Sequence, residues 1–185
     1  MLQIICILVI IIGLTVITPF IKHMERYKAS RMILWIMFCI YVIGNMYCTT
    51  FSRVFGSGVT VELRPFMSIV RLFDDPVEGG GRVIGLFAWF MGGSAPLVGL
   101  ILNILLYYPL GYLLPILFPK LKPKHIILVG CLCSVATEVT QYILKLGWCE
   151  TDDVIHNTLG TAIGVWVWLW QSRKRQKQNE ESNKL

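Results

Sequence analysis

Three ionisable side chains lie within or at the edge of apolar runs in the second half of the chain. Glu138 lies inside one run, and Asp153 and His156 lie at the start of the next. An ionisable group at membrane depth is costly, so it marks a functional site when it faces protein or a water-filled cavity. We predict that these three residues carry the chemistry of the protein, with Glu138 as a proton acceptor or as a ligand for a polar headgroup.

Amide side chains accompany these acids at helical spacing. Gln141 lies one turn beyond Glu138, and Asn157 lies one turn beyond Asp153. Residues three or four apart share one face of a helix, so each pair can point into the same space. We predict that one pocket collects the polar side chains of several helices. The predicted ligand-binding residues in this pocket are Arg64, Asn103, Gln141, Asp152 and Asn157.

Simpler roles remain open for some of these residues. Glu138 can instead make a structural hydrogen bond to Asn103 or Asn157 that holds two helices together. Asp152 and Asp153 also fit ordinary capping, because acidic residues are favourable in the first turn of a helix. Capping does not explain why the polar stripe continues from Asp153 to Asn157.

The composition indicates an integral membrane protein. Hydrophobic residues make up 55% of the 185 residues and charged residues only 15%, which is unlike a soluble domain. About 20 helical residues cross a bilayer core, and apolar runs of about that length occupy residues 2–21, 32–51, 97–118, 126–144 and 154–170. We predict an all-α, polytopic protein of about five transmembrane helices, with a single domain over 1–170 and a disordered cytoplasmic tail over 171–185.

The distribution of Lys and Arg predicts the orientation. The first connection, the third connection and the tail are basic, whereas the second and fourth connections balance basic with acidic residues. Because cytoplasmic loops carry the excess of Lys and Arg, we predict a multi-pass protein with an external N-terminus and a cytoplasmic C-terminus. The net charge of +6 is then a topology signal, and no nucleic-acid partner is predicted.

The second connection, residues 52–96, is long and rich in glycine. Residues 83–93 within it are apolar and aromatic but too short to span, which predicts an external re-entrant or interfacial segment. Arg64 and Arg71 lie in the same connection, on the side of the membrane predicted for Glu138. Either can be the cationic partner that stabilises the charge of that carboxylate.

Several motifs together resemble the VanZ-like family of bacterial membrane proteins. They are L-R-P-F at 63–66, N-x-x-x-x-x-P-x-G at 103–111, E-x-x-Q at 138–141 and D-x-x-x-N-T-x-G-x-x-x-G at 153–164. The motif-bearing part extends over residues 62–164. The resemblance implies a role in the bacterial cell envelope and a link to resistance to glycopeptides, especially teicoplanin.

Three hypotheses for function follow. The first is a factor that binds or modifies a membrane lipid or lipid-linked cell-wall precursor at the outer leaflet. The second is an intramembrane hydrolase or transferase that uses Glu138 and His156, with or without a divalent ion held by Asp152, Asp153 and His156. The third is a noncatalytic helper that packs beside an envelope protein through the G-x-x-x-G motif at 160–164.

No cofactor is predicted, and the assignment as an enzyme stays open. The sequence contains no Gly-rich phosphate loop, no G-x-S-x-G motif, no nicotinamide fingerprint and no H-E-x-x-H metal motif. The metal version of the second hypothesis therefore lacks a dedicated ligand motif.

Overall fold

The computed structural model describes residues 28–51, 53–74 and 95–183 of the chain. The helices are α1 (Lys28–Met46), α2 (Met67–Asp74), α3 (Ala95–Leu117), α4 (Pro123–Leu144) and α5 (Thr151–Ser182); a short π-helix, Tyr47–Phe51, continues α1, and the strands are β1 (Gly58–Glu62) and β2 (Leu146–Glu150). The predicted span at 2–21 and the predicted re-entrant segment at 83–93 lie outside the described residues.

Three helices in this part of the chain are long and apolar enough to cross a membrane. They are Arg31–Phe51, Gly99–Leu117 and Pro123–Leu144, and they coincide with the second, third and fourth predicted spans. The predicted fifth span, 154–170, forms the first half of the longer helix α5. A mainly helical membrane protein is therefore confirmed, whereas the total of five spans stays a prediction.

Helix α3 lies at the centre of the bundle. Its side chains Tyr107, Tyr112 and Leu113 are almost fully buried, and they pack among residues of α1, α4 and α5. Because lipid is as apolar as these side chains, close van der Waals packing and hydrogen bonds between helices, rather than transfer from water, stabilise this contact. The helix continues through two internal prolines, so neither of them ends it.

Helices α3 and α5 approach each other closely because glycines face the contact. A Cβ atom added to Gly160 would lie 2.1 Å from the carbonyl oxygen of Ile104, and one added to Gly164 would lie 2.2 Å from that of Tyr108. A Cβ added to Gly111 on the opposing helix would lie 1.9 Å from the carbonyl oxygen of Thr161. The glycines at 160 and 164 therefore admit the chain's own α3, and this face is occupied within the protein.

A small parallel sheet was not predicted from the sequence. Strand β1 pairs with β2 in a register that places Gly58 opposite Leu146 and Glu62 opposite Glu150. Parallel strands need a long crossover connection, and here it runs through α2, α3 and α4. Helix α4 ends at Leu144, and the next residue, Lys145, has a left-handed φ of 53°. The chain therefore turns directly into β2 and then into α5.

The last helix extends beyond the predicted end of the domain. The sequence predicted disorder over 171–185, whereas α5 continues to Ser182. Residues after 170 are mostly Gln, Arg, Lys and Glu, which lose little side-chain freedom in a helix. In addition, the Tyr112 hydroxyl donates a hydrogen bond of 2.7 Å to Gln171 Oε1, which fixes the start of this extension to α3.

Candidate functional site

The predicted polar residues meet at one end of the helical bundle. Asn103 lies in the first half of α3, Gln141 near the end of α4, and Asp153 in the first turn of α5. Asn103 Nδ2 donates a hydrogen bond of 2.6 Å to Asp153 Oδ1, and Gln141 Nε2 donates one of 3.0 Å to the carbonyl oxygen of Thr49. Four elements that are distant in sequence thus converge on one polar region.

Glu138 points into this region rather than toward lipid. Its side chain is only 6% exposed, and its Oε2 accepts a hydrogen bond of 3.0 Å from the backbone N–H of Glu150 at the end of β2. Asp153 is near enough for the two carboxylates to repel each other. Glu138 therefore accepts a hydrogen bond from the backbone at the β2–α5 junction. The simpler hypothesis had predicted Asn103 or Asn157 as its partner.

Asp153 combines burial with neighbouring charge. It lies before residue 154, where the apolar run of α5 begins. Burial, followed by the nearby Glu150 carboxylate, raises the pKa of Asp153 to about 6, although Arg53 and the hydrogen bond from Asn103 act in the opposite direction. An acid with a pKa near 6 exchanges a proton close to neutral pH, so Asp153 is suited to accept or donate one.

Arg53 is the cation of the site, and the sequence did not identify it. Its Nη1 atom donates to the carbonyl oxygens of Leu146 at 3.4 Å and Trp148 at 3.5 Å. Next to β2, the guanidinium of Arg53 interacts electrostatically with both Glu138 and Asp153. The signal available in the sequence was its place just after the second apolar run.

Arg64, one of the two arginines that the sequence analysis named for this role, makes a local ion pair. Its Nε and Nη2 atoms donate to the two carboxylate oxygens of Glu62 at 2.9 and 2.8 Å, and its side chain is 72% exposed. The hydrogen bond with Glu62 raises the pKa of Arg64 above its already high value. The prediction that Arg64 pairs with Glu138 is therefore corrected, and the side chain of Arg71 lies outside the described part.

Asp152 faces a different partner from Asp153. Its carboxylate accepts hydrogen bonds from the backbone N–H groups of Phe66 at 2.5 Å and Ser68 at 2.6 Å, and a third from the Ser68 hydroxyl. The first N–H groups of a helix have no partner within that helix, and residues 66–68 are the start of α2. Asp152 therefore caps α2 and holds the 63–68 segment against α5, so its oxygens are occupied by protein donors rather than open to a ligand.

The two remaining predicted residues lie deeper along α5. Asn157 Nδ2 donates a hydrogen bond of 2.8 Å to Ser134 Oγ on α4, and both side chains are buried. His156 is buried as well and interacts electrostatically with Asp152. Asn157 thus links α4 and α5, and His156 lies on the same side of α5 as Asp152.

No group of three or more potential metal ligands occurs among residues 28–51, 53–74 and 95–183. Asp152, Asp153 and His156 do not converge as a metal centre there, because Asp152 and Asp153 point to different partners. Two amide oxygens are available as hydrogen-bond acceptors. Within the same ranges, Gln141 Oε1 and Asn157 Oδ1 are buried acceptors that lack a protein donor.

Comparison with known proteins bears on this constellation. A search of curated proteins and a search of solved structures gave no match. A family model described as VanZ/LLP1 matches residues 32–172, which is more than half of the chain and includes every predicted site residue. The chain therefore belongs to the VanZ/LLP1 family.

Proposed function

We propose that this membrane protein binds or modifies a lipid-linked component of the bacterial cell envelope at the outer leaflet, and that it thereby contributes to resistance to glycopeptides such as teicoplanin. One observation carries the proposal: Glu138 and Asp153 are held together at one end of membrane-length helices, with Arg53 and Asn103 beside them. Membership in the VanZ/LLP1 family supports the envelope role.

The position of the acids favours an amphiphilic ligand. On its outer surface, α4 presents exposed apolar side chains such as Leu128, Leu132 and Val139, as expected of a surface in contact with lipid. A molecule at this boundary can place its polar headgroup among the acids while its hydrocarbon tail stays in the bilayer. A soluble ligand would gain nothing from the apolar surface.

The side chains of the site match the groups of such a headgroup. The guanidinium of Arg53 is suited to phosphate, since it presents several donors in a fixed plane. Carboxylates accept hydrogen bonds from sugar hydroxyls or peptide amides, and the amide oxygens of Gln141 and Asn157 add acceptors. The combination fits a phosphate-linked sugar or peptide better than it fits a simple hydrophobic compound.

Proton transfer is the chemistry the site supports best if the ligand is modified. Asp153, with its pKa raised to about 6 by burial and Glu150, can take a proton near neutral pH from a hydroxyl that attacks the phosphorus of the headgroup. It can return this proton to the alcohol oxygen whose bond to phosphorus breaks. Glu138 would then orient the headgroup. This version is the hydrolase or transferase hypothesis without a metal ion, and it relies on Asp153 more than on His156.

A susceptibility assay tests the proposal. Cells that express Glu138→Gln or Asp153→Asn at the wild-type level should lose protection against teicoplanin, because each change removes one carboxylate charge with little change in shape. Glu181→Gln is the matched control, since Glu181 is an exposed carboxylate far along α5. If both site variants protect cells as well as wild type and the control do, the site assignment is wrong.

A further inference from the structure

A cavity of about 230 Å³ lies between α1, α3 and α4, away from the acids. Its walls include Val42 and Met46 of α1, Leu110 of α3, and Cys133, Ala136 and Thr137 of α4. Met46, Cys133 and Ala136 are exposed at the surface of the bundle, so the cavity opens sideways, toward the region that lipid occupies around membrane-spanning helices.

The cavity lies one helical turn below the polar site on three elements. Tyr107 lines it and follows Asn103 by four residues; Thr137 lines it and precedes Gln141 by four. Asn45 also lines it, and its carbonyl accepts a hydrogen bond of 2.9 Å from Thr49 Oγ1. One turn corresponds to about 5.4 Å along a helix, so the cavity lies next to the polar region on all three elements.

The polar side chains of the cavity are directed at one another. Asn45 Nδ2 donates to Tyr41 Oη at 3.1 Å, and the hydroxyls of Tyr107 and Thr137 are 3.2 Å apart. Thr137 Oγ1 also donates to the carbonyl oxygen of Cys133 at 3.0 Å. Because these groups are paired, the wall offers mainly hydrocarbon surface, which favours an apolar occupant over a hydrated one.

We propose that this cavity is a tail-binding site, which holds part of the hydrocarbon chain of the lipid whose headgroup meets Glu138 and Asp153. This inference rests on the proposed function and adds a second contact region to it. The short distance to the polar site, the lateral opening and the paired polar groups all favour a hydrocarbon chain that enters from the bilayer. Such a contact discriminates a lipid-linked headgroup from the same headgroup free in water.

Photocrosslinking tests this assignment. The full-length protein is placed in lipid nanodiscs that contain phosphatidylglycerol with a diazirine near the end of one acyl chain, and the crosslinked residues are mapped by mass spectrometry. We expect crosslinks at Met46 and Cys133 to be saturable and displaced by unlabelled lipid. Crosslinks at Leu128 and Leu132, on the outer surface of α4, should rise in simple proportion to probe concentration.

A pair of neighbouring variants supplies the control. Ala136→Phe places a ring in the cavity and should reduce the crosslinks at Met46 and Cys133 at least several-fold. Val135→Phe adds the same ring to the adjacent residue, which is exposed and does not line the cavity, and should leave those crosslinks unchanged. Thermal unfolding of both variants shows that they are folded.

The outcomes separate this inference from the proposed function. Even labelling of all exposed faces, or labelling that Ala136→Phe leaves intact, overturns the tail-binding site whether or not Glu138→Gln abolishes protection against teicoplanin. Saturable labelling that only Ala136→Phe removes supports the site. If that labelling occurs while Glu138→Gln and Asp153→Asn still protect cells, the tail-binding site stands and the proposed function fails.

Discussion

Adjacent acidic residues at the start of α5 have opposite environments. The carboxylate of Asp152 receives donors from Phe66 and Ser68, whereas Asp153 is held by Asn103 and repelled by neighbouring acids. Successive residues of a helix project about 100° apart, so a one-residue step moves the side chain from the α2 segment to Asn103 of α3. Asp152 consequently stabilises the fold, and we propose Asp153 as the acid for proton transfer.

The pH dependence of stability should distinguish these two acids. Burial raises the pKa of Asp152, but the hydrogen bonds from Ser68 and Phe66 outweigh it and hold the pKa below the ordinary 3.8. Its contribution to stability is therefore present above about 3.8 and is lost as the pH falls through the lower folded value. At neutral pH we expect Asp152→Asn to cost roughly 1.5–3 kcal/mol, the range for hydrogen bonds to a charged group.

Thermal unfolding in detergent at a series of pH values checks this expectation. The difference between wild type and Asp152→Asn should shrink once the pH is below 3.8. Asp153→Asn is the control, because its effect on stability has the opposite pH dependence. The pKa of Asp153 is raised to about 6, so the wild type gains stability relative to this variant as the pH falls through that value. Parallel curves for both variants would contradict the assignment.

The arginines at positions 53 and 64 offer a second comparison. Arg53→Gln removes the positive charge beside Glu138 and Asp153, so protection against teicoplanin should fall toward that of cells without the protein. Arg64→Gln removes only the exposed pair with Glu62, and exposed ion pairs contribute about 0–1 kcal/mol, so it should protect nearly as well as wild type. A larger loss with Arg64→Gln than with Arg53→Gln would show that the cation is wrongly assigned.

Much of the site could be predicted from single residues, but its cation could not. Glu138 and Asp153 stand out because ionisable residues in apolar runs are rare. Arg53 is an ordinary interfacial arginine in the sequence, and its role depends on carbonyl groups 93 and 95 residues away. Likewise, nothing local indicates that Asp152 caps a helix that begins more than 80 residues earlier.

At the scale of elements, the contact between α3 and α5 sets the position of the site. Asn103 and Asp153 meet because the backbones of these two helices approach closely at Gly160 and Gly164. In the third sequence-based hypothesis this motif packs beside an envelope protein, whereas in the structure it contacts the chain's own α3. The β1–β2 pairing was missed for a separate reason: each strand has five residues, and β1 lacks the alternating burial that identifies a half-buried strand.

Adding one methyl group at this contact should separate the helices. Gly164→Ala brings a Cβ to 2.2 Å from the Tyr108 carbonyl oxygen, and such overpacking costs about 1–3 kcal/mol. Gly44→Ala is the matched control, since nothing lies within 4 Å of its added Cβ and alanine favours a helix by about 0.5–1 kcal/mol over glycine. Lower thermal stability is expected for Gly164→Ala alone. Equal stability of the two variants would contradict the close α3–α5 contact.

At the scale of the whole molecule, the described helices place the site at one end of the bundle. Asn103, Gln141 and Asp153 lie at the same end of the bundle, and the connection between α3 and α4 lies at the other. That opposite connection contains Lys120, Lys122 and Lys124. Since basic connections remain in the cytoplasm, the site should face the outside. The resemblance to the VanZ-like family is confirmed by the match over 32–172, but the match does not determine this orientation.

Cysteine labelling in whole cells tests the orientation directly. The six native cysteines are first replaced by alanine, and Lys145→Cys or Lys122→Cys is then introduced. Lys145 lies at the turn between α4 and β2, Lys122 lies at the turn before α4, and both are exposed. A maleimide that does not cross membranes should label the first in intact cells and the second only after permeabilisation. The reverse pattern would place Glu138 and Asp153 at the cytoplasmic face. In that case an outer-leaflet ligand could not reach them, even though every contact within the site would be unchanged.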